Sequence, residues 1–405
     1  MDTWLLLIFV IVYLGMLLGR MPGLALDRTG IALLGAIAIV VSGRLEPDAA
    51  WGAIDTPTIG LLLGLMVVSA QFRLGGFYSS FTSWLAARPV APITLLAYVV
   101  VASGVLSSLL SNDIICLAMA PVLLEGCIRR GLDPVPFLLA LACSANVGSA
   151  ATLIGNPQNM LIGQVLKLDF SLFSLQVAPP VLLSLMLVWS VVAWVYRGRW
   201  WNEMVLPEVI QQPFQLWQTI KGGVVLLLLV IGFLYTVLPR EVLALAAAGV
   251  LLISRRMHTR TMLGLVDWQL LVLFAGLFVV NHALAVSGNL EQLVNLMHAS
   301  GIDLKQPEVL FGSSILLSNL VSNVPATMLL LPFATEPIAG PVLALATTLA
   351  GNLLIIGSIA NIIVVDQAER LGLKIGWGQH ACIGIPVTVL TLTVAGGWLS
   401  LLAAV

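Results

Sequence analysis

Charge is scarce in this chain of 405 residues: only 9% of its side chains are Asp, Glu, Lys or Arg, against about 25% in a soluble domain. That scarcity excludes an ordinary soluble surface, and without a basic block nucleic acid is not a partner. Cysteine is also sparse. Cys116, Cys127, Cys143 and Cys382 are scattered without a CxxC spacing, which implies neither a disulfide framework nor a zinc site. There is no GxxxxGK[ST] run for ATP hydrolysis. Neither HExxH nor paired aspartates occur inside the apolar tracts, so an intramembrane hydrolase has no chemistry to work with, and no cofactor is called for. The opening Met1-Asp2-Thr3-Trp4 lacks a basic n-region and turns apolar at once, so a retained first span is expected rather than a cleaved signal.

Long uncharged tracts take the place of these features. Pro134 to Leu166 and Pro337 to Val365 carry no charge at all, and each can cross a hydrocarbon core of roughly 30 Å. Ten spans are expected, at about 4–20, 29–43, 57–72, 134–166, 174–196, 219–238, 241–254, 268–287, 341–365 and 380–403. Two further apolar stretches, about 92–125 and 308–335, have polar residues at their centres and read as re-entrant hairpins. With loops assigned alternately to two sides, one side collects Arg20, Arg28, Arg73, Arg88, Arg129, Arg130, Arg197, Arg199, Lys221, Arg255, Arg256, Arg260, Arg370 and Lys374. The other holds Arg44, Lys167, Arg240 and Lys305. The positive-inside rule makes the first side cytoplasmic and both termini extracytoplasmic.

The two halves resemble each other in order. Asp55 before Gly64-Leu65-Met66-Val67-Val68 matches Asp267 before Gly276-Leu277-Phe278-Val279-Val280. Ser111-Asn112 matches Ser322-Asn323. Leu153-Ile154-Gly155 with Asn159 matches Ile355-Ile356-Gly357 with Asn361. Five crossings per half invert the second half relative to the first. The expected fold is therefore an all-α polytopic membrane protein with ten transmembrane spans plus two re-entrant hairpins in two inverted repeats. Residues 1–200 form the first repeat (hairpin 92–125, broken helix 134–166), 201–218 a cytoplasmic linker, and 219–405 the second repeat (hairpin 308–335, broken helix 341–365). Inverted repeats with broken helices that meet at the midplane are the architecture of secondary transporters.

Four polar constellations mark where such a site would form. At the first tip, Ser111-Asn112-Asp113 places a carboxyl far from any other charge, and an intramembrane acid is by default functional. Burial favours its protonated form, so Asp113 is the candidate for proton or cation coupling, with H+ or Na+ as the ion; a helix cap is the plainer alternative. Within the fourth span, Asn146, Gly155, Asn156, Gln158 and Asn159 surround Pro157, which cannot continue a helix. The second tip offers Ser322, Asn323 and Thr327 around Pro325. The ninth span offers Asn352, Ser358 and Asn361. These thirteen amide, hydroxyl and glycine positions, with Ser111 and Asn112 among them, are the expected substrate-binding residues. Asp55 and Asp267 read as helix caps, and His282 with Asn281 as structural. Cys116 and Cys143 read as apolar filler, a ligand for a soft metalloid being the lesser alternative.

These motifs resemble the ion transporter superfamily, which includes the arsenite-efflux membrane subunit, the citrate and divalent-anion symporters and one group of sodium/proton antiporters. The resemblance rests on Ser111-Asn112-Asp113, on residues 145–159, on Ser318 to Pro325, and on Ala350-Gly351-Asn352 with Gly357 to Asn361. It implies a scaffold and a transport domain, homodimerisation and an elevator motion in the cell (inner) membrane. Asn112-Asp113 is similar to the arsenite-efflux branch. The dicarboxylate branch shows Ser-Asn-Thr at both tips, where this chain has Asp113 and then Val324-Pro325. No Arg or Lys lies in the four motifs. A proton-coupled transporter of a small anion or metalloid oxyanion, arsenite-like or antimonite-like, follows. The alternatives are a sodium- or proton-coupled carboxylate or inorganic-anion symporter, a sodium/proton antiporter, and, of another class, a passive anion channel.

Overall fold

The structure, a computed structural model, describes residues 2–19, 23–201, 213–255, 257–299 and 301–404. Apart from one isolated bridge, Leu132 to Trp201, the regular structure of the described residues is helical. In chain order the helices are α1 (Thr3–Leu18), α2 (Arg28–Val41), α3 (Pro47–Gly52), α4 (Thr56–Leu74), α5 (Phe77–Ala86), α6 (Pro92–Leu109), α7 (Asn112–Arg129), α8 (Val135–Ser149), α9 (Pro157–Val165) and α10 (Phe170–Val195). Then follow α11 (Leu216–Tyr235), α12 (Arg240–Leu252), α13 (Thr259–Leu263), α14 (Trp268–Val286), α15 (Asn289–Ala299), α16 (Pro307–Val321), α17 (Asn323–Leu330), α18 (Ala339–Ala350), α19 (Ile359–Arg370) and α20 (Trp377–Ala403).

The scarce acids set several helix starts. Asp2, Asp27, Asp55, Asp169 and Asp267 each precede a helix and accept a first-turn backbone N–H, from Leu5, Gly30, Thr58, Leu172 and Leu270 respectively. A carboxylate there meets an otherwise orphaned donor and the positive end of the helix dipole. The capping expected of Asp55 and Asp267 is what these contacts show. Among the described residues six helices, α4, α6, α10, α11, α14 and α20, are long and apolar enough to cross a membrane. Leu7, Leu14, Ile37, Leu175, Leu183, Met186, Leu227 and Val389 lie exposed on the outside of the helices, where lipid rather than water is the solvent.

Close helix approach relies on small residues, as membrane packing requires. A Cβ on Gly64 of α4 would lie 2.5 Å from the Ala244 carbonyl carbon of α12, and one on Gly276 of α14 2.9 Å from that of Ala32 in α2. A Cβ on Gly148 of α8 would lie 2.3 Å from the Gly104 carbonyl oxygen of α6. These three contacts hold the α4–α12, α2–α14 and α6–α8 pairs together.

Several boundaries differ from expectation. Helix α11 begins at Leu216, inside the segment 201–218 read as linker; residues 202–212 of that segment, and Arg20 and Arg256 of the charge tally, lie outside the described residues. Helix α10 begins at Phe170 rather than 174 because Asp169 caps it. The stretch 92–125 divides at Leu110–Ser111 into α6 and α7, and α6 alone is 18 residues long. The polar residues that mark this stretch as unlike a simple span lie past the end of α6. Helices α3, α5, α13 and α15 fall outside the expected spans and hairpins, since each is too short to leave an apolar run. Helix α5 packs an aromatic series, Phe77, Tyr78, Phe81 and Trp84, and Arg88 stacks over Trp84 at 4.0 Å.

Candidate functional site

Two long apolar tracts are each broken at a matching point. Helix α8 ends at Ser149 and α9 begins at Pro157, with Asn156 capping α9 by accepting the Asn159 N–H at 2.8 Å. Helix α18 ends at Ala350 and α19 begins at Ile359, with Ser358 capping. Proline at the first helical position explains the first restart. The second break has no proline; a 3-10 turn at Ile355–Gly357 fills it. Carbonyls freed by a break need donors. At the first, Asn159 Nδ2 donates to Thr152 O at 2.9 Å and Ser149 O at 3.4 Å. At the second, Asn361 Nδ2 donates to Gly351 O at 2.8 Å and Leu354 O at 3.1 Å.

Both tips reach these breaks. The Asn112 backbone N–H donates to Gly155 O at 3.3 Å. The Asn323 amide satisfies its surroundings only with its nitrogen toward Gly357 O at 3.0 Å and Thr347 O at 3.1 Å. Ser322, at the second tip, has φ +77° and ψ 162°, a region almost reserved for glycine and strained for serine.

Asn146 links the parts. It accepts from Asn112 Nδ2 at 3.0 Å and from Ser358 Oγ at 2.8 Å, and it donates to Asn352 Oδ1 at 2.9 Å and Asn361 Oδ1 at 3.3 Å. The reciprocal bridge is Thr348, whose Oγ1 accepts from Gln158 Nε2 at 3.2 Å and Asn156 Nδ2 at 3.3 Å. Beside this network is a cavity of about 40 Å³ walled by Asn112, Asp113, Gln158, Asn323, Ser358 and Arg28, room for about one water. Asn112 Oδ1, Asn352 Nδ2 and Arg28 Nε are buried without a protein partner. Among the described residues no hydrogen bond or ion pair engages the Asp113 carboxyl.

Not every expected residue faces this cavity. Asn156 and Asn159 turn into their own break. Thr327 is buried in α17 with its hydroxyl unpartnered, off the cavity wall. Ser111 is half-buried and makes no capping bond. Asn281 accepts the Tyr13 hydroxyl at 2.9 Å, and His282 is exposed. Cys116 and Cys143 are buried free thiols. Three contributors were missed in the sequence. Thr348 stands 202 positions after Asn146, the offset of the broken-helix match, and was findable. His380, whose Nε2 lies 3.1 Å from Asn352 O, carries no local signal. Arg28 reads as one more basic residue at a span end.

The sequence profile of the citrate transporter family, CitMHS, matches residues 4–350. The chain belongs to this family. This CitMHS member is 30% identical to an uncharacterized transporter of Mycobacterium tuberculosis, covering 92% of this chain and 93% of the relative. It is 28% identical to the silicon efflux transporter LSI3 of Oryza sativa subsp. japonica, covering 92% of each. Its fold is similar to the crystal structure of the Alcanivorax borkumensis YdaH transporter, with TM-score 0.57 and 15% identity over 99% of this chain and 97% of that one. The ion transporter superfamily expected from the motifs is thus the right one. The protein is a multi-pass membrane transporter, not an enzyme.

Proposed function

We propose that this chain is a secondary active carrier of a small oxygen-bearing anion or metalloid oxyanion, driven by protons through Asp113, with two inverted halves that meet at the Asn146 network. The observation that carries this reading is that network: one buried amide joins a tip, both broken helices and a cavity whose wall bears an unpaired carboxyl. Ten helices of residues 3–195 and ten of 216–403 follow one another in the same order of long, short and broken elements, which supports the repeat. The tips end against the breaks, which supports hairpins that enter and leave on one side. A family named for citrate and a relative named for silicon both concern oxygen-rich small species, and hydroxyls with amides suit these. A cavity of about 40 Å³ is smaller than such a ligand, so the walls must part, which a carrier does and a fixed pore does not. An elevator motion and a homodimer belong to this same reading.

The test is uptake into proteoliposomes of the purified full chain, over a panel of citrate, phosphate, silicic acid and arsenous acid, with imposed pH or sodium gradients. Saturable uptake of a panel member that follows the pH gradient is expected. Coupling to sodium alone would remove the proton role, and flux that ignores both gradients would make the chain a channel.

A further inference from the structure

The cavity has two unlike walls. One is made by tips and breaks: Asn112 and Asp113 of α7, Gln158 of α9, Asn323 of α17 and Ser358 just before α19. The other is made by the first turns of α2 and α14, whose starts are tied by the Thr29 hydroxyl donating to Gln269 O at 3.3 Å. From that second wall Arg28 supplies the cavity's cation. Its Nε is buried without a partner, and among the described residues no hydrogen bond or ion pair engages its guanidinium. Asp27, its neighbour, is occupied in capping Gly30. Asp113 shares the cavity and forms no ion pair with it. An unpaired guanidinium and an unpaired carboxyl, both half-buried on one cavity within a membrane protein, are costly, and the cost has a use where each has a mobile counterpart.

The arginine at the matching place in the other half shows that the position does not force this state. Arg240 lies 212 residues on, the offset of the Asp55–Asp267 match, and also opens its helix. Its guanidinium donates to Leu168 O through Nη2, keeps Nη1 buried without a partner, and does not line the cavity. Of the two arginines, Arg28 is the one that lines the cavity and has no protein partner among the described residues. Its five donors form a planar fork that suits a carboxylate or an oxyanion, and an uncharged hydroxylated species gains little from it.

We infer that Arg28 is the cationic contact of the substrate site, so that the species carried bears at least one negative charge, on a carboxylate or oxyanion, while it lies against α2. This rests on the carrier reading above and narrows its substrate. The anion is held between Arg28 on one wall and the amides of Asn112, Gln158 and Asn323 on the other, while Asp113 takes the coupling proton and so does not repel it.

The experiment compares the native chain with Arg28→Gln and Arg28→Lys in proteoliposomes. The probes are citrate and phosphate, anionic at neutral pH, and arsenous and silicic acids, uncharged there. Expected is transport of an anionic probe by the native chain, a loss of at least about tenfold in Arg28→Gln, the scale of one hydrogen bond to a charged group, and substantial recovery in Arg28→Lys. Gel filtration in detergent confirms that both variants stay folded, and Arg28→Lys keeps the question answerable if Arg28→Gln does not. Anion transport within twofold of native in Arg28→Gln overturns the inference. So does a native chain that moves only the uncharged probes, which keeps the carrier and its Asn146 network and removes only the charge of the species carried. A native chain that moves none of the four overturns the carrier reading itself.

Discussion

At the scale of the residue, Asn146 carries the most. Its one amide meets Asn112, Ser358, Asn352 and Asn361, so Asn146→Ala removes a junction and leaves buried amides without partners, at about 1–3 kcal/mol for each group left unpaired. Transport is expected to be abolished while the protein still inserts; native transport rates in this variant would place the site elsewhere. Asp113→Asn separates shape from charge. The variant keeps the outline of the side chain but cannot take up and release a proton, so exchange of substrate persists while uphill, pH-driven accumulation is lost. Vesicles with an imposed pH gradient decide this, and native uphill transport by the variant reduces Asp113 to a part of the tip. Polar side chains inside uncharged tracts are conspicuous, and for that reason Asn112, Asn146, Gln158 and Ser358 were legible in the sequence. Arg28 was not, because a basic residue at the end of a span is ordinary there and only the folded chain reveals that it turns to the cavity. Thr348 was hidden for a different reason: threonine is unremarkable in a transmembrane helix unless the repeat is followed position by position.

At the scale of the element, the breaks matter more than the spans. Pro157 announces the first, whereas the second depends on Ser358 capping α19 and Asn361 collecting the Gly351 and Leu354 carbonyls, interactions with no proline to signal them. Long apolar helices such as α4, α14 and α20 were placed to within a few residues, since hydropathy is all that such a span needs. Helices α5 and α15 were missed because a short helix that lies against others is amphipathic and leaves no such run. The unbroken part of the bundle is held by backbone contact, and this has a measurable consequence. A side chain at position 148 would drive its Cβ to 2.3 Å from Gly104 O, and the atom in the way is backbone, which cannot swing aside. Gly148→Val is expected to cost about 1–3 kcal/mol or more through overpacking, separating α8 from α6 next to the Asn146 network. The unfolding midpoint in detergent should fall and transport should fall with it; an unchanged midpoint would mean that the two helices part without penalty. Gly249 of α12, which has open space around its Cβ position, should accept alanine with little change.

At the scale of the whole molecule, the position of the cavity against the chain's charge asymmetry predicts the side from which the site opens. Basic residues gather on the side where α2 and α14 begin, with Arg28 at one start and Arg255 and Arg260 just before the other, and the positive-inside rule predicts that this side is cytoplasmic. The cavity is lined by Arg28 and by Leu270 and Leu273, all from the first two turns of those helices, so it lies toward these basic ends of the two. A carrier whose walls part on that nearer side offers its site to one compartment at a time, whereas a channel offers it to both. Leu273→Cys reports which holds. The protein's own Cys116, Cys127 and Cys143 are buried, and the exposed Cys382 can be replaced by serine. In that background a membrane-impermeant thiol reagent applied to inside-out vesicles is expected to label position 273, and an anionic substrate held by Arg28 should slow the labelling. The same reagent applied to intact cells should label it far more slowly, at a rate set by how often the carrier visits its outward state. Equal labelling from both faces would describe a pore, and faster labelling from outside would invert the orientation drawn from the arginines and lysines.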